Sequence, residues 1–268
     1  MMGTHRPMSR MSFAGGFLVP GARVLPDEVA VALTYNGTTQ AVMMATPANL
    51  EDFARGFTLT EGIARADEID SITVVETLKG VDVQIWLKPE AETRLTARRR
   101  TMAGPVGCGL CGIDSLEEAL RDVPNVTTDL FLTPVQICAA VAALPNHQSL
   151  HDATRAAHAA AFWVADRVLV AREDVGRHNA LDKLVGAIAN TNTRSGAVVL
   201  TSRVSIDLVQ KVAMFGAPMM IAVSAPTAEA VILADKAGIT LIALARADRF
   251  EVFTHPHRVI ATEATDVA

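Results

Sequence analysis

Two of the three cysteines in this chain lie in one glycine-rich run, Gly107-Cys108-Gly109-Leu110-Cys111-Gly112. The flanking glycines free the backbone for positive φ and keep bulk away from the sulfurs, so a large partner or substrate can approach them. Arg98-Arg99-Arg100 precedes the run, and Ser115-Leu116-Glu117-Glu118 follows it with the pattern of a capping box that opens a helix. Cationic neighbours and a helix N-terminus both draw a thiol toward thiolate, below its free pKa of roughly 8.5. The residue types and spacing point to a reactive sulfur nucleophile at Cys108, with Cys111 beside it.

Two other chemistries use a C-x-x-C. Half of a zinc site would need two more ligands, for which His147, His151, His158 and His178 are available, but no second C-x-x-C exists. A thioredoxin-like dithiol opens a helix directly after a strand, whereas Ala103-Gly104-Pro105-Val106-Gly107 makes a flexible lead-in. Cys138 shares a helical face with Val135 and Ala142 and reads as an inert core residue of a helix from Pro134 to Leu144.

The elements that must position these sulfurs are bounded by the chain as a whole. At 268 residues it is long enough for one large or two small domains with a substantial core. No apolar stretch reaches the ~20 residues of a membrane span, and Met1 to Arg10 has no signal-peptide core, so a cytoplasmic protein is expected, in keeping with an odd count of three cysteines, which suits a reducing compartment better than a disulfide framework. A net charge of −5 argues against general nucleic-acid binding and leaves anion recognition to individual arginines.

Residues 1–23 lack periodicity and read as a loosely held arm. Val29–Tyr35 and Thr38–Met44 flank Asn36-Gly37, a type I′ hairpin signal. Thr46-Pro47 reads as an N-cap and first helical position before Leu50, Phe53, Ala54 and Phe57, with Gly62 as the stop; Ile69–Thr77 and Val81–Leu87 pair around Gly80. Residues 24–93 are therefore a small α+β unit, 94–132 a mobile cysteine loop with a following helix, and 133–268 an α/β domain. In the last, Ala160–Val164 and Val168–Arg172 form a hairpin through Asp166-Arg167, followed by helix 180–190, strand 197–201, helix 205–215, strand 219–223, helix 227–237 and strand 240–244. Strands this uniformly apolar, separated by helices, predict a mostly parallel sheet covered on both faces.

Ligands of such sheets bind beyond the carboxyl ends of the strands, where helix N-termini point. Polar residues gather at these junctions: Glu173, Asp174, Arg177 and His178 after the first strand, Ser202 and Ser205 after the second, Ser224 and Thr227 after the third, Arg246 and Arg249 after the fourth. The surface suits a phosphorylated ligand, with arginines on phosphate and the Glu173-Asp174 pair free to accept hydrogen bonds from a purine edge. Caps explain Ser205 and Thr227 equally well, His158 reads equally as a core histidine, and Lys183 equally as a solvated helix residue. No G-x-G-x-x-G or P-loop is present.

Cys108-Gly-Leu-Cys111-Gly, the run Glu173-Asp-Val-Gly-Arg-His-Asn-Ala-Leu-Asp-Lys183, Ser224-Ala-Pro-Thr227, and Asn36-Gly37, Thr46-Pro47, Gly56-Phe57 and Glu61-Gly62 closely resemble the FdhD family of formate dehydrogenase accessory proteins, over residues 24–260. The resemblance implies a cytidine-deaminase-like fold, usually dimeric, and a sulfur carrier. It implies that a cysteine desulfurase delivers persulfide sulfur, which passes to the bis(molybdopterin guanine dinucleotide) molybdenum cofactor, bound as substrate, to activate formate dehydrogenase. By position, Cys108 would bear the persulfide with Cys111 as helper, and Leu244, Ala245, Arg246, Ala247, Asp248 and Arg249 would form a cofactor-binding segment. No permanent metal, nucleic-acid or membrane partner is implied. Thr154-Arg155-Ala156 and Thr201-Ser202-Arg203 depart from the family's usual Thr-Gly-Gly and Ser-Gly-Arg.

Two rivals remain at this stage. A zinc deaminase would share the implied fold, but its chemistry needs H-x-E and P-C-x-x-C, and here the residues are His158-Ala159-Ala160 and Gly107 before Cys108. A non-catalytic cofactor chaperone would use the cysteines only to grip metal or partner.

Overall fold

A computed structural model describes residues 3–102, 122–191 and 195–260. Cys108, Cys111 and the Ser115 capping box lie outside the described residues.

The chain opens with strands β1 (His5–Ala14) and β2 (Phe17–Pro26), an antiparallel ribbon turned at Gly15 and Gly16, both at positive φ. The reading of residues 1–23 as an arm without regular structure is thus corrected. Both faces of the ribbon are exposed and each mixes apolar with polar residues, so no period-2 pattern marks these strands.

Strands β3 (Val29–Tyr35) and β4 (Thr38–Ala45) follow, joined at Asn36 and Gly37 with φ of 47° and 80°, as a type I′ turn demands. With β5 (Ile69–Thr77) and β6 (Gly80–Leu87) they make a four-stranded sheet of order β4-β3-β6-β5, in which β3 and β6 run parallel. Val31, Leu33, Tyr35, Val83 and Ile85 project from one face onto Phe53 and Ala54 of helix α1 (Leu50–Thr60). Helix α2 (Pro89–Met102) closes this core with Ala91 and Leu95 and carries the backbone through Arg98–Arg100, so residues 94–102 are helical and not part of a loop. Glu68, buried, accepts from the Arg65 amide and pairs with Arg94 at 2.6 Å, fastening α2; those contacts hold its carboxyl below the usual range.

Thr46 does not cap α1. The helix is entered through Asn49 in the left-handed region, and Thr46 is engaged elsewhere. Gly62, at φ 65°, follows the end of α1 as expected.

The second unit is a six-stranded sheet of order β12-β11-β10-β9-β7-β8, built from β7 (His158–Val164), β8 (Arg167–Asp174), β9 (Ala197–Leu200), β10 (Met219–Ala222), β11 (Thr240–Ala243) and β12 (Glu251–Val252). Helix α3 (Pro134–Ala143) covers one face, the short α4 (Ser149–Thr154) lies near its edge, and α5 (Arg177–Ile188), α6 (Ile206–Phe215) and α7 (Ala228–Lys236) cover the other. Alternate residues serve the two cores: Val198, Leu200, Met220 and Leu241 on the α5–α7 side, Ala197, Val199, Met219 and Ile242 on the α3 side.

Only β9, β10 and β11 are mutually parallel neighbours; β7 runs antiparallel to both β8 and β9, and β12 antiparallel to β11. The sheet is mixed, not mostly parallel. Two-sided burial makes any strand uniformly apolar whatever its direction, so composition could not separate the two cases.

Cys138 also differs from the sequence reading. Ile137, Ala140 and Val141 form the buried face of α3, while Val135 is 69% exposed and Cys138 is half-buried beside a cleft of about 390 Å³ shared with Ala142, Ala247 and Asp248.

The two units meet through α1 and α5 at very close range. A Cβ on Gly56 would sit 1.7 Å from the Asp182 carbonyl oxygen, and one on Gly186 would sit 1.8 Å from that of Asp52. Each helix thus offers a glycine where the other's backbone passes, and no side chain fits at either position.

Candidate functional site

Because β7 is antiparallel to both neighbours, β8 runs in the same direction as β9, β10 and β11. The carboxyl ends of all four strands therefore share one edge, as the distribution of polar residues predicts. The register places Asp174 opposite His158, Leu200 opposite Ala160 and Leu200 opposite Ala222. The loops after β9 and β10 are stitched together, Val204 donating its amide to Ala225 and receiving that of Thr227 on its carbonyl. Arg246 folds back over the ends of β10 and β11, its guanidinium donating to the carbonyls of Val223 and Ala245.

Asp174 lies at the base of this edge and is fully buried. Its carboxylate accepts from the Thr46 amide at 3.0 Å, the Gly176 amide at 2.8 Å and the Asn179 side chain at 3.0 Å, and it pairs with Lys183 at 2.6 Å. Lys183 also donates to the Thr46 carbonyl, and the Thr46 hydroxyl accepts the Val175 amide. Burial pulls the Lys183 ammonium below its ordinary pKa, opposed by the Asp174 charge. Since Asp174 accepts the Gly176 amide, α5 begins at Arg177, three residues before the expected Ala180.

A second buried ion cluster holds the far end of α1. Lys211 contacts Asp182 at 2.9 and 3.0 Å and Glu61 at 2.6 Å, and Thr60 donates to Asp182 at 2.6 Å. Burial disfavours the Lys211 charge, yet Asp182 and Glu61 outweigh it and hold the ammonium protonated. With Arg172 on Asp52 at 2.8 Å, helix α1 is pinned in its first turn as well as at its exit.

Several expected ligand contacts are corrected by this geometry. Glu173 and Asp174 are not free to meet a purine: Glu173 accepts the amides of Leu150 and His151, both at 2.8 Å, at the start of α4, and Asp174 is sealed in the lock just described. Lys183 is fully buried, not solvated. Ser202 is buried with its hydroxyl on the Arg203 carbonyl, and the segment 244–249 divides. Leu244, Ala245 and Arg246 stay at the strand ends, Ala247 and Asp248 turn toward α3, and Arg249 returns its carbonyl to the Arg246 amide at 2.7 Å with its side chain exposed. Leu244 sits at φ 53°, a left-handed conformation uncommon for a branched residue and concentrated at functional sites. Thr227 caps α7 by accepting the Ala230 amide; Ser205, at the N-cap position of α6, makes no such bond.

Arg177, His178, Ser205 and Ser224 remain at the open edge. Among the described residues, Nε of Arg177, Nε2 of His178 and Oγ of Ser205 are buried atoms without a hydrogen-bond partner. His178 lies 3.8 Å from Asp207, and burial, reinforced by Arg177, lowers its pKa to about 4. His158 is likewise held below its ordinary value by burial and by Arg177. Both imidazoles are neutral near pH 7. The edge thus presents neutral ring nitrogens, a hydroxyl and a guanidinium beside the N-termini of α5 and α6, an arrangement that accepts an anionic or hydrogen-bonding ligand. A separate cavity of about 530 Å³ opens between the end of α1, α5 and α6, lined in part by Leu59, Ile63, Arg65, Arg94, Val185 and Met214.

Thr46, Asn179, Asp182 and Lys211 went unrecognised in the sequence. The available signal was the pair Asp182-Lys183 between Leu181 and Leu184, charges set inside an apolar helix face, where only paired burial is tolerated.

No described helix is long and apolar enough to cross a membrane. The profile of the FdhD/NarQ family matches residues 26–260. Relatives named sulfur carrier protein FdhD are 50% identical in Agrobacterium fabrum, covering 96% of this chain and 97% of the relative, and 51% identical in Brucella abortus, covering 96% of each. A crystal structure of a protein assigned as a formate dehydrogenase accessory protein in Desulfotalea psychrophila superposes with a TM-score of 0.77 at 25% identity, covering 96% of this chain and 100% of the other. The chain belongs to the FdhD/NarQ family.

Proposed function

We propose that this protein is a sulfur carrier that accepts persulfide sulfur from a cysteine desulfurase on Cys108 and delivers it to the bis(molybdopterin guanine dinucleotide) molybdenum cofactor, bound as substrate, for use by formate dehydrogenase. The observation that carries the reading is identity of about 50% over nearly the whole chain to proteins named sulfur carriers, in a sequence whose glycine-flanked Cys108 and Cys111 follow three arginines.

In the loading step the Cys108 thiolate attacks the outer sulfur of a persulfide on the donor cysteine. That S–S bond breaks, the donor leaves as thiolate, and the new S–S bond makes Cys108 the persulfide, with no external oxidant or reductant consumed. Cys111 assists by shielding or discharging the carried sulfur.

The cofactor's guanine nucleotide ends are assigned to the carboxyl edge. Arg177, His178 and Ser205 each keep a buried polar atom in want of a partner there, Ser224 lies on the same edge, and Arg246 and Arg249 add positive charge. Asp174, Glu173 and Ser202 act behind them as positioning groups. The lock from Asp174 through Lys183 to Thr46 ties this edge to the unit whose last helix, α2, leads to the cysteines. Complementation tests the proposal: in a host lacking its own carrier, the wild-type chain should restore formate dehydrogenase activity, and Cys108→Ala, present at equal level, should not. Full restoration by Cys108→Ala would refute it.

A further inference from the structure

His158 opens β7, and because β7 runs antiparallel to β8 and β9 its start lies among their carboxyl ends, half-buried and in register with Asp174. His178 lies on the same edge, in the first turn of α5 beside Arg177. The Arg177 charge bears on both imidazoles. Other charges reach His178 from α6, through Asp207 and Lys211, and from the end of α1, through Glu61; they reach His158 from α4, through His151, and from β8, through Asp174. The carboxylates near the two rings are engaged or stand off: Asp174 holds Lys183, Glu61 holds Lys211 at 2.6 Å, and Asp207 is 3.8 Å from His178. Burial and Arg177 therefore prevail and keep both rings neutral. At the same place Nε of Arg177 and Nε2 of His178 are buried without a hydrogen-bond partner among the described residues, and an oxyanion would supply an acceptor to both.

A bound anion reverses what holds the rings neutral. Phosphate oxygens beside Arg177 cancel its repulsion, and they accept a stronger hydrogen bond from an imidazolium than from an imidazole. We propose that His158 and His178 are the proton-linked part of the anion site: a pyrophosphate-bearing ligand that settles on Arg177 draws protons from solvent onto these rings, which then share its oxygens with the guanidinium. The inference rests on the assignment of the cofactor's nucleotide ends to this edge. The sign follows from linkage. Each ring is more basic with the anion bound than without it, so the added affinity is complete below the free-state value and is lost as pH rises through the bound one. If binding returns His178 from about 4 to its ordinary 6.5, the affinity at pH ~5.5 exceeds that at pH ~8 by about tenfold.

Calorimetry of the full chain with GDP-mannose tests this. Both phosphates of that probe are esterified and lack the ionisation near pH ~6, so protons taken up on binding belong to the protein. Titrations at pH ~6 in buffers of different ionisation enthalpy should show wild type taking up at least about half a proton per ligand, and the affinity should rise about tenfold from pH ~8 to ~5.5. His158→Gln and His178→Gln should each reduce the uptake. The double variant should abolish it and still bind at pH ~8, where the rings are neutral and Arg177 remains. In NMR spectra at pH ~6, the His178 ring should be neutral in the free chain and partly protonated with saturating ligand. Binding without proton uptake, uptake that persists in the double variant, ring resonances that saturation does not move, or loss of pH ~8 binding in the double variant would overturn the linkage and leave the nucleotide site standing. Failure of GDP-mannose to bind wild type at either pH would overturn the linkage and the nucleotide assignment together.

Discussion

Replacing Lys183 by Met tests the lock between the two units most stringently. Met matches the lysine stem in length and flexibility, so little cavity forms and the loss is of the ammonium itself. Lys183 and Asp174 are both fully buried and 2.6 Å apart, and removing one partner of such a pair costs about 3–5 kcal/mol because the remaining charge is stranded. Asp174 keeps three neutral donors, from Thr46, Gly176 and Asn179, which places the loss near the low end of that range, while the Thr46 carbonyl loses its donor as well. At a urea m-value near 3 kcal/mol/M, a loss of about 3 kcal/mol moves the unfolding midpoint down by roughly 1 M. Asp174→Asn in the Lys183→Met background should recover part of it, because the stranded charge is then gone. A midpoint shift below about 0.3 M, equivalent to under about 1 kcal/mol, would refute the buried lock.

Gly56→Ala should destabilise the protein by about 3 kcal/mol or more in the same denaturation assay, since its Cβ would meet a backbone oxygen at 1.7 Å that cannot move without separating α1 from α5; an unchanged midpoint would disprove that close approach. His178 titrates near 4 in the fold against an ordinary value of 6.5, so the unfolded chain takes up the proton first: the urea midpoint should hold above pH 6.5 and fall as pH drops toward 4, by up to about 3 kcal/mol, and His178→Gln should flatten that decline. Arg246→Ala/Arg249→Ala should weaken guanine-nucleotide binding in calorimetry while leaving sulfur loading of Cys108 intact; each charge-assisted contact is worth about 1.5–3 kcal/mol, and Arg246, already donating to two carbonyls, should contribute the smaller share.

What the sequence displayed and what it concealed differ by the range of the interaction. Asn36-Gly37 takes positive φ locally and its hairpin lies where the sequence predicts it, whereas the second hairpin turns at Ala165-Asp166, one residue before the expected Asp166-Arg167. The gathering of polar junctions on one edge was also legible, because each follows an apolar strand. Which of those residues face a ligand was not. Asp174 and Glu173 look alike in sequence, yet one is sealed by Lys183 and by Thr46, 128 positions away, and the other caps a helix. Strand direction was hidden because two-sided burial erases alternation in parallel and antiparallel strands alike. Thr46-Pro47 carries the local signature of a helix start, but the tertiary demand on Thr46 prevailed and left Asn49 to begin α1.

The most direct test of the account is intact-protein mass spectrometry after incubation with a cysteine desulfurase and cysteine. Wild type and Cys111→Ala should each gain one sulfur atom, mapped by peptide analysis to Cys108, and Cys108→Ala should gain none. Equal loading of Cys108→Ala, or sulfur found on Cys138 in place of Cys108, would contradict the assignment of Cys108 as the carrier.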